Sequence, residues 1–276
     1  GTSSNMLSVR KLAQLFIVSE AVAGRNTVLI TGATGRTGSI LYNTFSNQYK
    51  ATWAVRGLVR NITKARQVLD CGSCGEADGI FVGDITRAST LVKPMDSIDT
   101  LVILTSSVPQ MAKNGTFFYP PGGTPREVDF LGGNAQVQAA LAAGTCKSIL
   151  LVSSMGTTQP NTFLDKMGNG QALFYKLNQE AYLMGAAAAY HTSFTVVKPG
   201  GLTDSAGGNA TLITGHEDSI TQSVLIARAD VAAVLTQAIV QPSLAENIRF
   251  DLCSKPGDPP INDWPAFFAT ARLIKR

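Results

Sequence analysis

The chain has 276 residues, 45% of them hydrophobic and 15% charged, with a formal net charge of +4. That length suits one large α/β domain or two small ones, and the apolar share supplies a sizeable core. The basic residues are scattered rather than clustered, which argues against nucleic-acid binding, and no apolar run reaches the length that crosses a bilayer.

The first 25 residues, GTSSNMLSVRKLAQLFIVSEAVAGR, stand apart. No acidic residue occurs before Glu20, Arg10 and Lys11 are accompanied by several serines, and Leu12, Leu15, Phe16 and Val22 recur at roughly helical spacing. This arm reads as an organelle-targeting remnant, as an amphipathic arm that docks on a protein partner or a membrane surface, as a helix packed on its own domain, or as an expression scar at Gly1–Thr2.

From residue 26 strands and helices alternate. NTVLIT (26–31) is a short β-rich run that ends at glycine, and 36–48 forms the helix after it. WAVRGLVR (53–60), GIFVGD (79–84) and DTLVILTSS (99–107) read as the next three strands. Residues 127–144 read as a helix closed by Gly144, KSILLVSS (147–154) as a fifth strand, 170–190 as a long helix and SFTVVKPGG (193–201) as a sixth strand. The tail adds a short strand, a helix over 229–240, a strand over 247–252 and a final helix over 262–274. Strands that are apolar along their length imply a parallel sheet buried on both faces, and their alternation with helices implies a doubly wound α/β fold of the Rossmann type. The tail is expected to fold over the C-terminal strand ends as a small substrate-side extension. With no internal repeat and no low-complexity linker, 26–276 reads as one domain.

After the first strand come Gly32, Gly35 and Gly38, in the pattern GxxGxxG. A backbone that turns sharply off a strand and lets its N–H groups approach a pyrophosphate needs glycine there, and the helix that follows aims its positive end at the phosphates. The position after strand, before helix and inside a βαβ unit is the context that gives the pattern its meaning. At the end of the second strand, where an acid would bond the ribose 2′-hydroxyl of NAD, the chain has Arg60 and no acid until Asp70. A guanidinium pairs bidentately with a 2′-phosphate, so NADP(H) is the expected cofactor, with Arg36 in the glycine loop as a second clamp.

Of the four cysteines, Cys71, Cys74, Cys146 and Cys253, only CGSC (71–74) is a pair by spacing. It reads as two thiols in a glycine-rich surface turn or as a redox-switchable disulfide. Zinc would need further ligands that the sequence does not pattern, so no metal is expected. Cysteine usage excludes a disulfide-dense secreted fold and points to a reducing or organellar compartment.

Taken together, TGATGRTG (31–38), GLVR (57–60), GDIT (83–86), LVILTSSVP (101–109), VSSMGTT (152–158) and VVKPGGL (196–202) resemble, in this order, the atypical short-chain dehydrogenases/reductases of the NAD(P)-binding, NmrA-like branch. EVDFLG (127–132) and MGNG (167–170) are similar to segments of a group of plant and algal NADP-binding proteins within it. The resemblance covers residues 26–275 and implies a plastid location. It also implies that Gly32, Thr34, Gly35, Arg36 and Thr37, with Gly38 behind them, line the pyrophosphate and adenosine side, and that Arg60 takes the 2′-phosphate. By the same resemblance Asp84 and Ile85 flank the adenine, and Leu104, Thr105 and Ser106 lie along the ribose and phosphates. Ser153 then sits near the nicotinamide, Lys176 bonds its ribose, and Pro199, Gly200, Gly201 and Leu202 border the ring.

Orthodox members of that superfamily carry YxxxK, in which the tyrosine moves the substrate proton and the lysine charge lowers its pKa. Here the residue four before Lys176 is Ala172, and no YxxxK occurs anywhere. Tyr175 would point about 100° away from Lys176 on a helix, and Tyr182 lies on the wrong side. The remaining catalytic candidates are Lys176 itself and a water polarised by Ser153 or Ser154. His191 and His216 lack recognisable partners and read as ordinary surface residues, His216 being the better placed. The stretch 108–125, VPQMAKNGTFFYPPGGTP, has the composition of a lid, with Phe117, Phe118 and Tyr119 able to cover an apolar substrate or contact a neighbour. Two functions fit: an NADPH-dependent reductase of a small apolar carbonyl, alkene or quinone, and a non-catalytic NADP(H)-binding sensor or accessory subunit of an organellar complex.

Overall fold

The computed structural model describes residues 24–159, 162–221, 224–256 and 263–272. The N-terminal arm, with its targeting, docking and packing readings, lies outside the described residues.

The first half of the chain builds β1 (Asn26–Thr31), α1 (Arg36–Gln48), β2 (Trp53–Val59), α2 (Ile62–Val68), β3 (Ile80–Val82), α3 (Val92–Met95) and β4 (Thr100–Ile103). The 108–125 stretch holds a small antiparallel hairpin, β5 (Gln110–Met111) and β6 (Phe117–Phe118). A π-helical turn, Arg126–Gly132, leads into α4 (Gly133–Ala142), followed by β7 (Ser148–Val152), α5 (Phe163–Lys166) and α6 (Ala172–Ala189). The tail contributes β8 (Ser193–Pro199), β9 (Gly201–Thr203), β10 (Ala210–Gly215), β11 (Leu225–Ala227), α7 (Arg228–Val240), α8 (Pro242–Ala245), β12 (Ile248–Pro256) and α9 (Trp264–Arg272).

The eight-stranded sheet runs β3-β2-β1-β4-β7-β8-β12-β10 and is parallel except for β10, which pairs antiparallel to β12 at the edge. This is a Rossmann-like α/β architecture. Alternate residues of each strand face opposite layers. Val28, Ile30, Val102, Leu150 and Val197 pack against Leu41 and Phe45 of α1 and Val231 and Leu235 of α7. Leu29, Leu101, Ile103, Ile149, Leu151 and Val196 pack against Val137 and Ala140 of α4 and Leu183 and Ala187 of α6. Both faces of the central strands are therefore dry, which is why their sequences are apolar without alternation. Strand order reverses between β1 and β4, so the chain leaves a crevice beyond their C-terminal ends.

Two elements differ from expectation. The 99–107 strand ends at Ile103, because the residues beyond it turn outward into that crevice. The helix expected from 127 opens as a π-turn whose wider ring buries Asp129 completely.

One buried charge cluster ties the tail to the sheet. Lys198 of β8 is fully enclosed, with Nζ 3.1 Å from Asp218 Oδ1 and 2.9 Å from Asp251 Oδ1. The Asp218 carboxylate also accepts the N–H of Gly156 at 2.6 Å, the N–H of Thr158 at 2.9 Å and the Thr158 hydroxyl, so it pins the loop after β7. Burial pushes the Asp218 carboxyl up, but the Thr158 and Gly156 hydrogen bonds and Lys198 outweigh it and hold it below its ordinary value. Its contribution to stability is therefore complete above about pH 4 and is lost as pH falls through the lower folded value. Lys198→Met leaves two buried carboxylates facing each other. It should cost about 3–5 kcal/mol in urea unfolding at pH 7, with the loss shrinking near pH 4 as the carboxylates take up protons. An unchanged midpoint would show that these charges do not act as one cluster.

Candidate active site

The crevice is shaped first by Gly32. Its φ is +71°, and a Cβ there would lie 3.0 Å from both the carbonyl carbon and oxygen of Leu104, so the turn after β1 and the segment after β4 meet backbone to backbone. The Gly35 N–H donates to the Gly32 carbonyl at 2.8 Å, and Gly35 is the N-cap of α1. No side chain caps that helix and no acid stands in its first turn, so its positive end faces the crevice uncovered.

A cleft of about 450 Å³ opens from this point. Its walls are Gly32, Thr34 and Gly35 after β1, Arg60 after β2, Asp84 and Ile85 after β3, and Leu104, Thr105 and Ser106 after β4. Lys64 joins them from α2, and Ser107, Val108, Pro120, Gly122 and Gly123 from the loop that follows β4. Arg60 is exposed and makes no salt bridge among the described residues. Burial pushes the Asp84 carboxyl up, but hydrogen bonds from the Thr86 N–H and hydroxyl and the charges of Arg60 and Arg87 hold it below its ordinary value. Arg60 and Lys64 thus put two cations on the rim, which suits a phosphate dianion, while the Asp84 carboxylate is engaged by Thr86. The bare helix end and the backbone-to-backbone turn suit a pyrophosphate, so the residues present fit a dinucleotide with a 2′-phosphate.

Other expected residues lie away from this cleft. Arg36 does not line it. Its Nη1 reaches Asp204 Oδ2 at 2.9 Å, and Asp204 is shared with Arg228 at 2.7 Å, so the expected second clamp is turned toward the tail by an acid 168 residues away. Thr37 lies in the first turn of α1, and Gly38 packs under the glycine turn, where a Cβ would meet the Gly32 carbonyl oxygen at 2.2 Å. Pro199, Gly200, Gly201 and Leu202 follow the C-terminal end of β8 into β9. There the Gly201 N–H donates to Val224 at 2.7 Å, and Arg228 donates to the Leu202 carbonyl at 3.2 Å.

Lys176 projects from α6 and is buried, its Nζ 2.7 Å from Asp129 Oδ1. The other oxygen of Asp129 accepts the Ser107 hydroxyl at 2.5 Å and the Ser107 N–H at 3.2 Å. Because Ser107 is part of the cleft wall, Asp129 joins Lys176 directly to the cleft. Gly133 leaves room beside it for a side chain of α6: a Cβ there would lie 2.2 Å from Gln179 Nε2. Ser153 donates its hydroxyl to the fully buried Glu180, and Glu180 pairs with Arg249 at 2.7 Å. Burial opposes the Arg249 charge, but Glu180, Glu217 and Asp251 outweigh it and raise its pKa. Ser154 donates to the Met155 carbonyl at 2.8 Å.

Tyr175 stacks at 6.1 Å on Phe130 and at 5.2 Å on Phe174, and Tyr182 accepts from Gln138 at 2.8 Å. His216 Nε2 is buried without a partner among the described residues. Cys71 and Cys74 are joined as a disulfide with Cys74 buried, rather than standing as two thiols in a surface turn. Burial pushes the Cys146 and Cys253 thiols up to about 11, so neither offers a thiolate at neutral pH. No cluster of metal ligands occurs among the described residues, and none of the described helices is long and apolar enough to cross a membrane. Lys64, Ser107 and Asp129 escaped the sequence reading. EVDFLG and LVILTSSVP marked Asp129 and Ser107 as parts of motifs, while Lys64 carried no signal of its own.

The family described as NAD(P)H-binding matches residues 32–242. An uncharacterized chloroplastic protein of Arabidopsis thaliana is 40% identical over 254 residues, which is 88% of this chain and 74% of that protein. Sanguinarine reductase of Eschscholzia californica is 35% identical over 257 residues, 83% of this chain and 89% of that enzyme. An oxidoreductase from Lactococcus lactis superposes with a TM-score of 0.65 at 17% identity, over 91% of this chain and 100% of the other, which shows a shared fold.

Gly32→Val forces a β-branched side chain into a left-handed backbone against Leu104, a strain of about 1–3 kcal/mol. It should weaken nucleotide binding, followed by fluorescence titration, by about tenfold or more, with the circular dichroism of the fold retained. Undiminished binding would show that the nucleotide does not rest on this turn.

Proposed function

The chain belongs to the NAD(P)H-binding family, and from that premise we propose that it is an NADPH-dependent reductase of a small apolar carbonyl, alkene or quinone. The observation that carries this reading is the Asp129 bridge. A buried lysine, held at 2.7 Å, is coupled through one carboxylate to the wall of a cleft that fits the dinucleotide. The similarity to a protein named sanguinarine reductase supports it.

In this reading Gly32, Thr34, Gly35 and the start of α1 hold the pyrophosphate, and Arg60 with Lys64 takes the 2′-phosphate. Asp84 and Ile85 border the adenine, and Leu104, Thr105 and Ser106 follow the ribose and phosphates. Thr105 is oriented for this by Gln136 at 3.1 Å. Bound there, NADPH supplies the hydride. Lys176 bonds the nicotinamide ribose and, with Ser153 or Ser154, stabilises negative charge developing on a substrate oxygen. Pro199, Gly200, Gly201 and Leu202 border the ring side. The exposed apolar side chains of Val108, Met111, Phe117 and Phe118 on the 108–125 loop favour a lipophilic acceptor. A plastid location is supported by the chloroplastic relative.

A second reading, a non-catalytic NADP(H)-binding sensor or accessory subunit, is favoured by one observation. Lys176 and Ser153 already hold buried internal partners, Asp129 and Glu180.

Titration with NADPH and NADH, followed by oxidation of NADPH with quinones and aldehydes, separates these readings. NADPH should bind tighter than NADH by about 10–100-fold, the scale of charge-assisted bonds to a phosphate, and Arg60→Ala should erase the preference. Lys176→Ala should slow NADPH oxidation about 100-fold. Tight NADPH binding with no oxidation by any acceptor would favour the sensor, and no binding of either nucleotide would overturn both readings.

A further inference from the structure

A tyrosine from another segment packs against the turn that leads into the helix that lacks one. Ala172, four residues before Lys176, is the first residue of α6 and has no side chain beyond Cβ. The turn that leads into α6, Met167–Gly170, is covered by the ring of Tyr119 from the 108–125 loop. A Cβ at Gly170 would lie 2.2 Å from Tyr119 Cε2 and 2.9 Å from its Cζ, and a Cβ at Gly168 would lie 3.2 Å from the same ring. The ring therefore rests on bare backbone with its Cδ2–Cε2–Cζ edge over Gly170, two residues before Ala172. Any side chain at 170 would displace it, which explains the glycines of MGNG.

Its surroundings connect Tyr119 to the cleft and to Lys176. Pro120, Gly122 and Gly123, directly after it, line the cleft. Burial, followed by the carboxylates of Asp129 and Asp165, pushes the phenol above its ordinary value. Asp129 is the carboxylate that holds Lys176. Asp165, from α5, accepts the N–H groups of Leu173 at 2.7 Å and Phe174 at 3.2 Å at the start of α6. Tyr119 is half-buried, so water can reach it.

We propose that Tyr119, carried on the 108–125 loop, is the proton donor that stands in for the missing helix tyrosine. The proposal rests on the reductase reading above. As a carbonyl carbon receives hydride and NADPH becomes NADP⁺, the C=O π pair moves to oxygen. The Tyr119 O–H bond breaks while the substrate O–H bond forms, and the phenolate recovers its proton from water. A phenol kept protonated by nearby carboxylates is present in its donor form throughout the neutral range and leaves little phenolate to act as base in the reverse reaction.

The test uses Tyr119→Phe, which keeps the ring on the glycine turn and removes only the hydroxyl. NADPH affinity should stay within about twofold of wild type, while single-turnover oxidation of NADPH by an aromatic aldehyde or a 1,4-naphthoquinone falls about 100-fold. The second readout is independent of turnover. Of the six tyrosines, the difference in tyrosinate absorbance between wild type and Tyr119→Phe isolates one. Its midpoint should lie above the ordinary value of about 10 and should drop in Asp129→Asn. Turnover that survives in Tyr119→Phe, or an ordinary midpoint indifferent to Asp129→Asn, overturns the proposal and leaves the reductase reading standing. No turnover by the wild type with either acceptor overturns both.

Discussion

The organisation of the site depends on one buried carboxylate. Asp129 has no exposure, and it is charged at a place where an unpaired charge would be costly. Its oxygens are satisfied by the Lys176 ammonium on one side and by the hydroxyl and N–H of Ser107 on the other. Those partners come from α6 and from the segment after β4. Asp129 itself comes from the π-turn between them, so three separate stretches of chain must converge before the charge is tolerated. The π-turn is the backbone device that makes this possible, and Gly133 leaves room beside it for a side chain of α6.

Two further buried charge sets repeat the logic, one farther along the same face of α6 and one in β8. Glu180 lies one helical turn beyond Lys176 and joins Ser153 to Arg249 of β12. Lys198 joins Asp218 and Asp251 and, through Asp218, fixes the backbone at Gly156 and Thr158. The loop after β7 is thus held from α6, β8, β12 and the tail at once. Buried ion pairs add little net stability compared with apolar packing, but they penalise every arrangement in which they are broken. Here they define where the loop bearing Ser153 and Ser154 sits relative to Lys176.

The glycine turn, the cation at the end of β2 and the strand–helix alternation were legible because each is a local pattern: a period, a breaker or a residue type at a strand end. Contacts made across long separations were not. Arg36 looked like a second phosphate clamp because nothing in TGATGRTG indicates Asp204 far downstream. Lys64 was missed because its direction depends on α2, whose start is set by the Asn61 side chain accepting the Lys64 N–H at 3.0 Å. EVDFLG and MGNG were visible as motifs, yet their meaning lies in what packs on them. Asp129 meets a lysine 47 residues away, and the MGNG glycines carry a ring from a different loop. A helical reading of 127–144 assumed a period of 3.6 and could not show the wider turn that points Asp129 inward.

The change from the orthodox motif alters more than one residue. In YxxxK an uncommitted lysine charge acidifies the neighbouring tyrosine, so one site can both give and take a proton. Here that ammonium is bound to Asp129, and the Tyr119 phenol is raised rather than lowered, by burial and by the carboxylates of Asp129 and Asp165. The absence of a tyrosine four residues before Lys176 and the buried Asp129 beside that lysine thus leave this helix without the charge arrangement of YxxxK.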